Sequence, residues 1–320
     1  MRTDAGDAAG LRQVLRASEH LDGGFRYEQA GMARKAVAAY EAALAAGVDP
    51  VERAEAQLRL ARAHRTNNDW DAAIAEARVA VRLAEEAGSP DLVAEAMNVE
   101  VGVYQLRGEW EAGDALARAA LNVARAPRVR GILLQNRGAI AAQRGDFAQA
   151  TELFNQSMDA FEAAGYELGM AIALNNASAA ARDAGDPAHS LTLAVRAAAV
   201  ARRLSAYDVL TLAAQNQAHA LVALGRADEA EAPLGEVLGH FTATCNVLRQ
   251  AECLEIMGVL HHARSPGDGT AERCFELAHS LGERVGSSAL CTRVARRLSE
   301  VRAGGQGTAG VAADAPQAGA

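Results

Sequence analysis

Asparagines at a regular interval are the part of this sequence whose chemistry is most readily interpreted. Asn136, Asn176 and Asn216 follow one another at intervals of 40 residues. An asparagine amide offers one acceptor and two donors, so it can pair with the N–H and C=O groups of a polypeptide backbone whatever the side chains of that polypeptide are. We call these residues and four further amides at the same or the adjacent positions the amide series. The further members are Asn98, Gln135, Asn175 and Gln215.

The amide series has two interpretations. One is that the amides hold the main chain of a bound peptide. The other is that they only hydrogen-bond neighbouring helices of the same chain. Asparagine in a helix interior is unfavourable, because its side chain competes for backbone hydrogen bonds. A repeated asparagine in a helix interior therefore indicates that its amide hydrogen-bonds either a ligand or a neighbouring helix. Both interpretations remain open.

A second set of candidate residues is basic. Arg59, Arg62 and Arg65 recur every three residues, which places them on one face of a helix, and Arg182 falls at a similar place further along the chain. A guanidinium group fits a carboxylate, so these arginines are candidates for binding an acidic side chain or a chain terminus. The alternative is that the first three only pair with nearby acidic residues on their own helix, Glu52 and Glu55. By the same count of residues from the turn, His219 is also expected on the inner face of its repeat, although a lone histidine is more often a packing or surface residue.

Motifs of catalysis and of metal binding are absent from the sequence. It contains no G-x-S-x-G, no H-E-x-x-H, no phosphate-binding loop and no dinucleotide-binding fingerprint. Four cysteines lie in the last quarter without a C-x-x-C pair, so we expect free thiols. His261 and His262 lie near Cys253, but the spacing of zinc ligands is missing. We therefore predict no catalytic residue, no metal site and no cofactor.

The elements that must position these residues are marked by recurring turn signals. The signals centre on Gly31, Asn68, Gly108, Gly145, Gly185 and Gly225, at intervals of 37, 40, 37, 40 and 40 residues. A seventh, degenerate signal lies at 265–268. Glycine or asparagine supplies the left-handed residue that ends a helix. Three aspartates that follow the turns, Asp69, Asp146 and Asp186, are candidates for capping the next helix.

Other residues at fixed offsets support the same repeat. Proline begins the predicted helices at Pro50, Pro90 and Pro127, where its missing N–H does no harm. Small residues recur five positions after the turns and allow two helices to cross closely. They are Ala36, Ala73, Gly113, Ser190 and Ala230. This pattern predicts an all-α repeat protein made of antiparallel helix hairpins.

The segment 134–154, with a small residue at the helix crossing, a Gly-Asp-aromatic turn and a second small residue, resembles a tetratricopeptide repeat. The long period resembles the extended form in kinesin light chains and bacterial peptide-pheromone receptors. The resemblance implies a right-handed superhelical solenoid of about seven hairpins, with the first helix of each pair inside. It also implies that the asparagines hold the main chain of a bound peptide. Arg137 and Gln217 depart from the pattern, since leucine is usual there, and Pro233 should kink or delay its helix.

These signals predict four segments. Residues 1–17 form an N-terminal segment, residues 18–286 form the repeats, residues 287–302 form a capping helix, and residues 303–320 form a disordered tail rich in glycine and alanine.

Composition narrows the possible partners. The chain has 320 residues and a net charge of −8, which disfavours nucleic acid even though arginines cluster between Arg125 and Arg144. The sequence has no signal peptide and no apolar run long enough to span a membrane, so we expect a cytoplasmic protein without membrane contact.

The function expected from these features is that of a non-enzymatic adaptor, which holds an extended segment of a partner protein in the concave groove of the solenoid. A signal-responsive regulator is the alternative, because the resemblance includes peptide receptors. Those receptors usually carry an output domain, and about 17 residues before the first repeat are too few for one. A self-associating scaffold is a third possibility.

Overall fold

The computed structural model describes residues 17–28, 32–46 and 49–303, and all regular secondary structure in these ranges is helical. The predicted turn glycine Gly31, the N-terminal segment up to residue 16 and the tail from residue 304 lie outside the described residues. Helix α1 comprises residues 17–28. The later helices are α2 (Ala33–Ala46), α3 (Pro50–Thr66), α4 (Trp70–Glu86), α5 (Pro90–Arg107), α6 (Trp110–Val123), α7 (Pro127–Gln143), α8 (Phe147–Ala163), α9 (Glu167–Asp183), α10 (Pro187–Arg203), α11 (Tyr207–Ala223), α12 (Glu231–Ala243), α13 (Val247–Arg264), α14 (Thr270–Arg284) and α15 (Ser288–Arg302). The prediction of an all-α fold is confirmed.

The chain divides into two compact units. The first unit contains the described residues up to Arg144, together with Asp159–Ala164. The second unit contains Gly145–Met158 and the described residues from Gly165 onward. Helix α8 therefore contributes residues to both units. Within each unit we call the odd-numbered helices first helices and the even-numbered ones second helices.

Close packing of small residues builds the first unit. Each helix from α2 to α6 contacts the helix that follows it, and the first helices also contact one another, α3 with α5 and α5 with α7. Ala61, Ala77, Ala80 and Ala96 are fully buried where α3, α4 and α5 meet, next to Leu58 and Val99. The absence of larger side chains at these points lets the helix backbones approach each other, as the fixed offsets predict.

The second unit is built in the same way. Its first helices again contact one another, α9 with α11, α11 with α13 and α13 with α15. Two small residues, one of them the predicted Ser190, meet directly where α9 crosses α10, since Ser178 Oγ donates to the Ser190 carbonyl at 2.8 Å. Helix α15 packs against α14 and buries Leu290 and Val294.

The turns follow the predicted chemistry with one exception. Asn68 and the four later turn glycines Gly108, Gly145, Gly185 and Gly225 all have a positive φ. Asp146 accepts from the Gln149 amide and Asp186 from the His189 amide, as helix caps do. The prediction for Asp69 is wrong, because its side chain makes no cap hydrogen bond. Its carboxylate instead lies 3.3 Å from His64 Nδ1.

Two left-handed residues at the junctions between hairpins were not predicted. Ser205 and Cys245 both have a φ of 54°. They lie 40 and 80 residues after Gly165, a junction glycine with a φ of 60°. The junctions thus keep the same 40-residue period as the turns, although glycine is replaced.

Polar residues that depart from the repeat pattern have partners on the preceding second helix. Arg137 on α7 donates to Asp114 on α6 at 2.7 Å. Gln217 on α11 donates to the Ala194 carbonyl on α10 at 3.4 Å. Glu100 lies at the same offset from its turn and accepts from Arg78 on α4. These three contacts satisfy polar groups in positions that leucine would otherwise fill.

Pro233 delays its helix, as predicted. A 3₁₀ turn at Ala227–Ala230 precedes α12, which begins at Glu231. Pro233 therefore lies in the first turn of α12. A backbone N–H at that place would have no carbonyl partner within the helix, so proline loses no hydrogen bond there.

The packing between α13 and α14 generates a testable prediction. A Cβ atom at Gly258 would lie 2.6 Å from Cε1 of the buried Phe275. We expect Gly258→Ala to lower the free energy of unfolding by about 1–3 kcal/mol, because the ring has no room to move. The matched control is Gly239→Ala on α12, where no side chain or other helix lies within 4 Å of the new methyl group. It should raise the free energy of unfolding by about 0.5–1 kcal/mol. Urea unfolding followed by circular dichroism measures both, and a stabilising Gly258→Ala would contradict the packing described.

Candidate functional site

Two members of the amide series contact each other in the first unit. Asn136 Nδ2 on α7 donates to Asn98 Oδ1 on α5 at 2.7 Å, and both side chains are half-buried. An asparagine amide has two donors and an acceptor, so the pair retains the Asn136 oxygen and several N–H groups for other partners. The neighbouring Gln135 carries a buried Oε1 that lacks a hydrogen-bond partner in the described part of the chain. The first helices of this unit therefore present a patch of amides.

The arginines of α3 are engaged by other helices. Arg62 forms an ion pair with Glu95 on α5. The Arg59 guanidinium lies 5.6 Å from the ring centroid of Phe25 on α1. Arg65 packs against Gly102 on α5, and burial, followed by the charge of Arg62, lowers the pKa of Arg65 to about 10. The expected alternative partners Glu52 and Glu55 form no ion pair with them among the described residues.

In the second unit, two amides of the series tie first helices together. Asn175 on α9 is 3% exposed, and its Nδ2 donates to the Val209 carbonyl on α11 at 3.1 Å. Asn216 on α11 is 8% exposed and donates to the Asn175 carbonyl at 3.1 Å. These side chains are therefore used by neighbouring helices, which is the second interpretation given above.

Two other amides of the second unit differ from that pair. Asn176 on α9 and Gln215 on α11 are half-buried, and their side chains have no hydrogen-bond partner within the described ranges. The repeat period makes Asn176 equivalent to Asn216, but the structure gives them different environments. The half-buried amides Asn176 and Gln215 are thus the members of the series in this unit whose donors and acceptors are unused within the described chain.

Arg182 and His219 lie together between α9 and α11. Arg182 Nη1 is 3.1 Å from His219 Nδ1. Arginine can only donate, so Nδ1 must be the acceptor and the imidazole is neutral with its proton on Nε2. Burial, followed by the charges of Arg182 and Arg297, lowers the pKa of His219 to about 4.

A group that sequence reasoning missed is linked to this pair through Arg297, whose charge acts on His219. Glu255 on α13 has a side chain only 7% exposed, and it accepts from Arg293 at 2.7 Å and from Arg297 at 3.1 Å. Both arginines project from α15. Their spacing of four residues, which places them on one helix face, is the signal that could have found them.

Two features typical of other protein classes are absent from the described residues. No helix there is long and apolar enough to cross a membrane. No group of three or more His, Cys, Asp or Glu side chains there is arranged to hold a metal ion.

Comparison with known proteins identifies the fold. No protein-family model and no curated protein matches the sequence. A tetratricopeptide repeat protein from Parabacteroides merdae has a TM-score of 0.55 at 14% identity, over 90% of this chain and 99% of that one. A Rap protein complexed with Competence and Sporulation Factor has a TM-score of 0.57 at 13% identity, and the match covers 90% of this chain and 97% of the Rap protein.

A third similar structure is a signal transduction ATPase from Pyrococcus horikoshii with a tetratricopeptide repeat sensor. Its TM-score is 0.63 at 13% identity, over 86% of this chain and 44% of that one, so the chain spans less than half of the ATPase. Together with the helix pairs described above, these likenesses show that the chain has the tetratricopeptide repeat fold.

The environment of His219 predicts how stability depends on pH. Its pKa is about 4 in the folded chain and 6.5 when unperturbed, so the unfolded chain binds more protons between these values. The second unit should therefore have its full stability above pH 6.5 and lose it as the pH falls toward 4. At pH 5 the loss should be about 2 kcal/mol.

Urea unfolding at pH 7 and pH 5 checks this expectation. His219→Gln, which cannot be protonated, should show a smaller loss at pH 5 than the unchanged protein. His189→Gln on α10, where the side chain is exposed, serves as the control and should behave like the unchanged protein. Equal losses in all three proteins would show that His219 is not desolvated as described.

Proposed function

We propose that this chain is a non-enzymatic interaction protein of the cytoplasm, which binds an extended peptide segment of a partner protein on the first helices of its repeats. The observation that carries the proposal is the amide series. Asn176 and Gln215 lie half-buried on first helices without hydrogen-bond partners in the described chain, and Asn98 and Asn136 form a half-buried amide pair. Such groups have unused donors and acceptors, and a polypeptide backbone supplies the complementary ones.

The spacing of the helices suits an extended ligand. First helices that contact each other lie about 8–10 Å apart. An extended peptide rises about 3.3 Å per residue, so one amide would meet the ligand at about every third residue. Contacts of this kind bind the main chain, and the surrounding side chains would then select among sequences.

Two amides of the series already have partners within the chain, which supports a smaller set of proposed ligand contacts. Asn175 and Asn216 donate to backbone carbonyls of neighbouring helices, so we assign them the role of holding α9 and α11 in register. We assign ligand contact to Asn98, Gln135 and Asn136 in the first unit. In the second unit we assign it to Asn176 and Gln215.

Proteins of similar fold support a ligand-binding role. One of them is a Rap protein complexed with Competence and Sporulation Factor. The charge of −8 on this chain argues that the partner is a polypeptide and not a nucleic acid.

A signal-responsive regulator is the second candidate, and it would use the same surfaces. One observation favours it. In the Pyrococcus horikoshii ATPase the tetratricopeptide repeats are the sensor of a signal transduction protein. A regulator would bind a free peptide signal, whereas an adaptor would bind a segment within a larger protein.

Affinity capture from a cell lysate, followed by direct binding, tests the proposal. Two double variants are compared with the unchanged chain, Asn98→Ala with Asn136→Ala in the first unit and Asn176→Ala with Gln215→Ala in the second. We expect each to lose a discrete partner. With a peptide from that partner, each lost amide contact should weaken Kd about fivefold by calorimetry, because one hydrogen bond contributes about 1 kcal/mol.

The control for both variants carries the same type of change on second helices. Asn122 on α6 and Asn155 on α8 are exposed, so Asn122→Ala with Asn155→Ala removes two amides away from the proposed surface. This variant should capture the same partners as the unchanged chain. If all four proteins capture the same partners with the same affinity, the proposal is wrong.

A further inference from the structure

Aliphatic side chains lie within about one helix turn of the two amides of the second unit that have no hydrogen-bond partner within the described ranges. Ile172 precedes Asn176 on α9 by four residues, and Leu212 precedes Gln215 on α11 by three. Residues at these separations share one face of a helix. All four residues are half-buried. Each helix thus presents an aliphatic group and an amide on one face, and we call Ile172 and Leu212 the aliphatic row.

The two members of the aliphatic row lie side by side. Asn216 Nδ2 on α11 donates to the Asn175 carbonyl on α9 at 3.1 Å. His219 Nδ1 on α11 lies 3.1 Å from Arg182 Nη1 on α9. These contacts join residues that are 41 and 37 positions apart, close to the 40-residue period of the turns. Equivalent residues of α9 and α11 are therefore level with each other, and only the distance between the helices separates the two members of the row.

The pairing of an aliphatic residue with an amide is not confined to these two helices. On α7 of the first unit, Ile132 precedes Asn136 by four residues, and both are half-buried. The equivalent position on α13 is different, because Glu252 lies there and pairs with Arg249 at 2.8 Å. The aliphatic row of the second unit therefore ends at α11, where a charged pair replaces it.

The distance between the members of the row distinguishes two conformations of a ligand. First helices that contact each other lie about 8–10 Å apart. In a β-strand, side chains alternate between two faces, so residues three positions apart point in opposite directions. In a polyproline II helix, three residues complete one turn and advance about 9 Å, so residues three positions apart point the same way. Of these two conformations, only polyproline II brings a ligand side chain to each member of the row.

The amides beside the row suit the same conformation. A polyproline II helix has no internal hydrogen bonds, so its backbone N–H and C=O groups are free to pair with other groups. Asn176 and Gln215 each carry both donors and an acceptor. The aliphatic members of the row gain from contact with apolar side chains, because that contact removes both surfaces from water.

We infer that the second unit binds a polyproline II segment that carries aliphatic side chains three residues apart. The inference rests on the proposed function and adds the conformation and the sequence pattern of the ligand. One aliphatic side chain of the ligand contacts Ile172, and the side chain three residues further along contacts Leu212. Asn176 and Gln215 hold the ligand backbone next to these contacts.

Three uncharged peptides, acetylated at one end and amidated at the other, serve as probes. The first repeats the unit leucine–proline–serine, so that its leucines recur at every third position. The second has the same composition, but its leucines are grouped at alternate positions, as a β-strand would require. The third has alanine in place of every leucine of the first. Calorimetry gives the affinity of each peptide for the full chain.

We expect the first peptide to bind roughly tenfold more tightly than either of the others, because only its leucines reach both members of the row at once. Asn176→Ala with Gln215→Ala should also weaken its binding, since contacts to the backbone are lost. If the second peptide binds as tightly as the first, or if none of the three binds, the inference is overturned.

Variants of the row give an independent measurement. Ile172→Ala with Leu212→Ala should weaken binding of the first peptide roughly tenfold and leave binding of the alanine peptide unchanged. The control is Val195→Ala with Leu277→Ala on the second helices α10 and α14, where both side chains are 51% exposed. It should bind the first peptide as the unchanged protein does. If circular dichroism shows that the row variant unfolds, the three peptides still decide with the unchanged protein.

The outcome also separates this inference from the proposed function. Equal affinity for all three peptides that is lost in Asn176→Ala with Gln215→Ala would keep the proposed function and reject the three-residue pattern. A preference for the first peptide that is unaffected in that variant would keep the aliphatic row and reject backbone recognition by the amide series.

Discussion

Close approach between neighbouring helix backbones is the constraint on which each unit of this protein depends. Aromatic residues make up only 4% of the chain, so large rings fill few of the spaces between helices. The contacts are made instead by alanine, glycine and serine at fixed distances from the turns. Ala80, Ala120 and Ala197 are all fully or almost fully buried at equivalent places in their hairpins. Where a ring does fill the space, as Phe275 does at Gly258, even a methyl group has no room.

The same close approach determines what the polar residues do. When two first helices lie near each other, a side-chain amide on one can reach a backbone carbonyl on the other, as Asn175 and Asn216 do. Asn176, the next residue along α9, is half-buried, and its hydrogen-bonding groups have no partner within the described ranges. Successive residues of an α-helix lie about 100° apart around its axis, and this difference in direction separates the residue that holds the fold from its neighbour, whose amide stays unused within the described chain.

Much of the fold could be predicted from the sequence, because the period of the turns is a local property. Glycine at Gly108 or Gly185 ends a helix for reasons contained in that residue and its neighbours. Ser205 and Cys245 escaped prediction because they are not usual left-handed residues, and only their 40-residue register reveals them. The site was less predictable. The amide series was found by its spacing, but spacing does not determine which amide faces the backbone of a neighbouring helix. The ion pairs of Glu255 with α15 depend on packing between segments that are distant in the sequence.

The polar contacts between hairpins have a consequence for the order of the repeats. Arg137 on α7 pairs with Asp114 on the helix before it, and Glu100 on α5 pairs with Arg78 in the same way. Moving one hairpin to another place in the chain would leave the half-buried Arg137 facing a helix without a carboxylate, which would destabilise that junction. Adjacent hairpins in this protein are therefore matched pairs and not interchangeable copies. Each repeat is specific to its position in the chain, even though all repeats share one fold.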